Sequence, residues 1–248
     1  MATANPAMNE AVYQRAGHAF AGASVMTLGG TVVKTTGLLL ILVVAAGYTW
    51  SQAAAGSPLT YGLLMVGALG GFATALLTIF VPKAAPFSAP LYAALEGLVL
   101  GAISASFEAR YHGIAIKAVG LSIGVLAMML FIYGTGIIRV TDKFRIGIFA
   151  ATGAIGLVYL VDIVASFFGT HIPFIHESGF VGIGFSLVVV IIAALNLVLD
   201  FDFIERGVNQ QAPKYMEWYG GFSLLVTLVW MYLEILRLLA KLQGGSRN

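Results

Sequence analysis

From residue 33 to residue 241 the chain runs through seven apolar blocks, near 33–51, 60–82, 88–108, 115–138, 145–168, 179–201 and 218–241. Each is close to the length that crosses a bilayer, whose hydrocarbon core of about 30 Å takes roughly 20 apolar residues in helical form. No water reaches backbone N–H and C=O groups there, so only a helix or a closed barrel can span it. Barrel strands read as alternating segments of about ten residues, whereas these blocks are longer and continuous. The sequence therefore predicts an all-α integral membrane protein, a bundle of seven transmembrane helices. Composition agrees, with 10% charged residues against about 25% in soluble domains.

The stretches between the blocks are SQAAAGSP, PKAAPFSAP, the turn at 108–112, RVTDKFR, GTHIPFIHE and FDFIERGVNQQAPKYMEW. None is long enough to hold a soluble domain, so 33–241 is expected to form one compact transmembrane domain. Residues 1–32 are a polar N-terminal tail rich in small residues, and 242–248 a short C-terminal one. A secretory signal would place its apolar region within about the first 15–30 residues, so the N-terminal segment is expected to stay uncleaved and loosely ordered. Lys and Arg set the orientation. With the N-terminus in the cytoplasm, the inner side collects Arg15, Lys34, Lys83, Arg139, Lys143, Arg145, Arg206 and Lys214, and the outer turns hold Arg110 and Lys117. The last segment departs from the pattern: either it is a true seventh span with Arg237, Lys241 and Arg247 toward the outside, or it is partly re-entrant with its end inside.

Several classes of function drop out. There is no cysteine, which removes disulfides, thiolate metal sites and Cys nucleophiles. The net charge of +2 is scattered, with no basic stripe for a nucleic-acid partner. No HExxH, GxSxG or GxGD motif is present, so neither an enzyme nor a resident cofactor is expected. His171, His176 and Glu177 fall together in GTHIPFIHE and have metal-ligating chemistry, but loop histidines are usually solvated. The partners to expect are the lipid bilayer and the ions or protons that cross it.

Acids inside the spans are the informative exceptions. An ionised side chain at a bilayer centre costs on the order of 2.5–3.5 kcal/mol even on the lenient insertion scale, so each is a functional candidate. Four qualify: Glu96 in mid-third span, Asp162 two-thirds through the fifth, Asp200 near the inner end of the sixth, and Glu234 deep in the seventh. Asn196 and Asp200 are four apart and share a helical face, while Asp202 points elsewhere and is placed to join Glu205 and Arg206 at a solvated helix end. Glu234 either pairs locally with Arg237, three residues on, or faces another acid. Two carboxylates in one low-dielectric site cannot both ionise freely, which makes such a pair proton-responsive. It would also offer hard oxygen ligands to calcium. Asp162 is expected near the outer interface and wet. Glu96 is centred in its span and needs a partner such as Tyr92, a carbonyl, a cation or a basic group. Small residues punctuate the same helices, among them Gly67, Gly70, Gly71, Gly153, Gly156 and the Gly97-xxx-Gly101 pair, a spacing that lets helices approach closely in lipid.

The stretches SVMTLGGTVVKTTGLLL, YAALEGLVLGAIS, LNLVLDFDFIE and WYGGFSLLVTLVWMYLEILRLL, in that order, resemble the bacterial branch of the Bax inhibitor, or transmembrane Bax-inhibitor-motif, family over nearly the whole chain. The resemblance implies a seven-helix bundle whose last helix is central, acting in the bacterial inner membrane as a pH-sensitive calcium leak. It also implies an acid pair on the sixth and seventh helices that shares protons and binds calcium transiently, here matched by Asp200 and Glu234. A basic latch at the inner end of the second helix belongs to the same pattern. No Arg stands there, and Lys83 after Pro82 is the nearest candidate.

Three functions follow as expectations. The first is a cation leak gated by Asp200 and Glu234. A second is a non-conducting regulator that binds membrane proteases or other partners through residues 213–219 (PKYMEWY) and RVTDKFR. A third is a proton-coupled transporter of a small solute, although no inverted repeat relates the two halves of the chain.

Overall fold

The computed structural model describes residues 24–172, 175 and 179–245. Among them the elements are α1 (Leu28–Ala54), α2 (Leu59–Phe80), a 3-10 turn (Pro82–Ala84), α3 (Ala85–Arg110), α4 (Ile114–Gly134), α5 (Asp142–Ser166), α6 (Phe180–Asn209) and α7 (Met216–Gly245). All seven α-helices are long and apolar enough to cross a membrane, and no strand occurs among the described residues beyond one isolated bridge, Val25 to Pro213. Large apolar side chains such as Val33, Val44, Leu69, Phe72 and Phe80 stay exposed on α1 and α2, as lipid-facing surfaces require.

Helix ends differ from the apolar block ends in ways that local chemistry explains. α1 starts at Leu28, five residues into the expected tail, because Thr27 caps it by accepting from Gly30 N at 3.0 Å. α3 takes in most of PKAAPFSAP: Pro86 falls in the first turn, where its missing N–H leaves nothing unsatisfied, and Pro90 costs only one helical bond. α5 begins at Asp142, capped by Thr141, whose hydroxyl accepts from Phe144 N at 3.2 Å. α6 continues through polar FDFIERGVN to Asn209, aided by an Arg206 to Asp202 pair one turn apart, at 3.1 Å.

Two compact units contain these helices. The first comprises α1, α2, α3, the end of α6 from Asp200 and the start of α7 to Val226; the second holds α4, α5, the rest of α6 and the rest of α7. In the first unit α3 packs along both α1 and α2, which hardly touch each other. Gly97 and Gly101 make this possible, since a Cβ at either would run into the α1 backbone carbonyls of Leu42 and Ala46. That is the close approach a small-xxx-small pair provides. Phe222 of α7 meets Tyr92 of α3 edge-on at 5.0 Å. In the second unit Ile148 and Leu199 centre an apolar cluster with Val140, Phe144, Ile192 and Leu195. The last helix is the most enclosed: 61% of its apolar window is buried, against 17–28% for α1, α2, α4 and α5.

Candidate functional site

Asp200 lies in the first unit and Glu234 in the second, each in its own surroundings. Asp200 is completely buried on α6. Asn196, one turn earlier, is buried as well, but its amide donates to Thr152 Oγ1 of α5 at 2.9 Å and to its own helix at Ile192 O at 2.8 Å. Asp202 is held by Arg206, so the three acids that end the sixth span divide as helical spacing predicts.

Glu234 is 1% exposed and its partners are now visible. Tyr159 of α5 donates its hydroxyl to Glu234 Oε1 at 2.8 Å, and Arg237 donates from Nη1 to the same oxygen at 3.0 Å. The guanidinium lies over the Tyr159 ring, 5.2 Å from its centroid, and Phe185 of α6 meets that ring edge-on. Of the two readings of Glu234, the local Arg237 pair is therefore formed. The other oxygen, Oε2, is buried as well. Farther along the same face, Lys241 is buried and donates to Gly182 O and Ser186 Oγ of α6 at 2.9 and 2.8 Å. An Arg237→Gln variant should lose about 2 kcal/mol of stability, because it strands a buried carboxylate whose partner was half-exposed. Adding Glu234→Gln should recover most of that loss in a double-mutant cycle of chemical unfolding in detergent.

Asp162 corrects the expectation of a wet interfacial acid. It is 8% exposed because its carboxylate closes the end of α5, accepting from Ile172 N at 2.8 Å. His171 Nδ1 lies 4.0 Å away and is largely exposed. The two other ligands considered for a metal here, His176 and Glu177, lie outside the described residues. No metal-ligating group of three occurs among the described residues. Lys83 sits exposed in the 3-10 turn after α2, with no ion pair among the described residues.

The strongest polar cluster is one that apolar-block reading misses. Glu217, in the first turn of α7, has a wholly buried side chain and receives four donors in the first unit. Lys34 Nζ lies 2.8 Å from Oε2, while Lys214 Nζ at 2.7 Å, Thr27 Oγ1 at 2.8 Å and Thr27 N at 3.0 Å all reach Oε1. Gly30 packs directly on this carboxylate. Beside it Met26 N donates to Ala212 O at 2.7 Å, and Gln211 turns the chain with φ of 52°. The segment ahead of α1 is thus clasped to the connection between α6 and α7. Lys214 three residues before an acid was the available signal, since an acid in a first turn suits the helix dipole. Within residues 213–219, Met216, Glu217 and Tyr219 are buried, while Lys214 is exposed and Pro213, Tyr215 and Trp218 are partly so.

A protein-family model described as Bax inhibitor 1 like matches residues 5–244. No curated protein and no solved structure gives a significant match. With seven helices able to span a membrane and a family match over nearly its full length, the chain is a multi-pass membrane protein that belongs to the Bax inhibitor 1 like family.

Proposed function

We propose that the protein is a pH-sensitive cation leak of the bacterial inner membrane, with calcium as the permeant ion and Asp200 and Glu234 as its titrating carboxylates. The observation that carries this reading is the complete enclosure of Asp200 where the apolar stretch of α6 ends. An enclosed carboxylate is neutralised by a proton or by a cation, and a group that exchanges one for the other ties ion occupancy to pH. At Glu234, Arg237 and Tyr159 occupy one of the two carboxylate oxygens. In this reading Arg237 takes the latching role for which Lys83 was the sequence candidate. The distribution of Lys and Arg favours a cytoplasmic N-terminus, which puts the Glu217 clasp on the inner face.

Purified protein in liposomes loaded with a calcium indicator tests the reading. Calcium uptake above that of protein-free vesicles is expected, and Asp200→Asn should move the pH midpoint of uptake by about one unit or more. Absence of uptake from folded protein would instead favour a non-conducting regulator that acts through partner proteins.

A further inference from the structure

α2 and α3 carry a polar row that neither the acids on α6 and α7 nor the Glu217 clasp uses. On α3, Ser88, Tyr92 and Glu96 recur every four residues and share one face. On α2 the buried residues are Gly67, Gly71, Thr74 and Thr78. The two faces meet in antiparallel order. Thr78 Oγ1 lies 2.7 Å from Ser88 Oγ and 2.8 Å from Thr74 O. Ser88 Oγ lies 3.0 Å from Ala84 O, at the turn between the helices. Thr74 Oγ1 lies 2.8 Å from Gly70 O and 3.0 Å from Gly71 O. At the far end of the row, Glu96 Oε2 rests against Gly71, where an added Cβ would come within 3.3 Å of it.

Glu96 stands at the middle of the span Pro82–Arg110. Among the described residues it makes no hydrogen bond or ion pair, and Tyr92 stands one turn before it on α3. Among the described residues, the 3-10 turn that packs on α3 carries Lys83, thirteen positions before Glu96, and α3 itself carries Glu108 and Arg110 only in its last turn. α1 carries Lys34, which is held by Glu217, and Tyr48, which is exposed. α2 carries only the exposed Tyr61. α7 meets Tyr92 with the Phe222 ring, behind which stands Tyr219, and its Glu217 is engaged in the clasp. A carboxyl group at mid-membrane with no cation beside it is held there most cheaply as the neutral acid.

We propose that Glu96 is a proton-binding site at the centre of the α2–α3 pair, supplied from the membrane face where α2 ends by the hydroxyls of Ser88, Thr78 and Thr74. Hydroxyl groups both donate and accept, so the row, with water between its members, can hand a proton inward. Glu96 lies eight helical residues beyond Ser88, about 12 Å of rise, or about two-fifths of a ~30 Å core. This site stands on α2 and α3 alone and does not depend on calcium conduction.

A neutral carboxyl in lipid reacts with dicyclohexylcarbodiimide. The acid adds across one C=N bond, its proton going to nitrogen and its oxygen bonding to the central carbon. The resulting O-acylisourea rearranges to a stable N-acylurea without further reactants. Full-length protein in liposomes, treated with this reagent and mapped by peptide mass spectrometry, should carry the adduct at Glu96 in preference to Glu108 and Glu205, and labelling should fall as pH rises. A water-soluble carbodiimide should reverse the preference. Infrared spectra should show a neutral carboxyl band that Glu96→Gln removes, and its exchange with deuterium should slow severalfold in Thr78→Val and, separately, in Ser88→Ala. An unlabelled Glu96, labelling that ignores pH, or a carboxyl band unchanged in Glu96→Gln overturns the site. Exchange at the parent rate in both hydroxyl variants overturns the supply route.

Discussion

Replacing Glu217 with alanine should destabilise the protein by about 3–5 kcal/mol, the range for removing one partner from a buried ion pair. The size follows from what is left behind. Glu217 is the shared acceptor of two ammonium groups, a hydroxyl and a backbone N–H; without it Thr27 N loses its acceptor and the lysines face each other across a void. Lys34 and Lys214 are 22% and 44% exposed and can turn toward water, so neither lysine variant alone should cost more than about 1 kcal/mol. Glu217→Gln should fall between, keeping a carbonyl acceptor for Thr27 but no charge. Gly30→Ala should approach the alanine variant in severity, because its Cβ would overlap the carboxylate. Chemical unfolding in detergent measures the loss, and amide exchange at residues 25–34 shows where it falls. An alanine variant as stable as the parent, with unchanged exchange in that segment, would mean that the clasp contributes nothing.

Valine at Gly101 should be as damaging, by about 3 kcal/mol, at the upper end of the usual cost of overpacking. The atoms an added Cβ meets there are the backbone of Ala46 on α1, which cannot rotate aside as a side chain would. Gly97, facing the Leu42 carbonyl and Ala45 Cβ, should respond in the same way. Gly153 and Gly156 on α5 provide the contrast, for nothing lies within 4 Å of a Cβ at either. Valine at those two should change stability by no more than about 0.5 kcal/mol, as for other surface sites. Thermal unfolding of the four variants side by side distinguishes packing glycines from ones that merely face lipid.

That contrast also marks where sequence reading runs out. Both glycine pairs lie in apolar helices at small-residue spacing, and nothing in their neighbours in the chain says which pair another helix will cross. The existence of seven spans was legible, because hydrocarbon leaves the backbone no alternative to continuous apolar helices. Their ends were less so. The turns at 85–90 and 202–209 are helical without being apolar, held by proline-tolerant first turns and an Arg206–Asp202 pair. Asp200 and Glu234 stood out as acids in apolar surroundings, and the spacing to Arg237 foretold its pairing. Tyr159 did not, since a tyrosine 75 positions away from Glu234 carries no local sign of the contact. Glu217 went unremarked because it falls where a connection was expected, among polar neighbours that make an acid look ordinary. Asp162 looked interfacial for want of any view of the turn it caps.

The proton-sensitive cation leak is tested most directly by calcium uptake into liposomes across a pH series, comparing the parent protein with an Asp200→Asn, Glu234→Gln double variant. Uptake by the parent should vary with pH in a single transition, and the double variant should conduct or block to the same extent at every pH. A double variant that keeps the parent's pH profile would show that these two carboxylates are not the titrating groups.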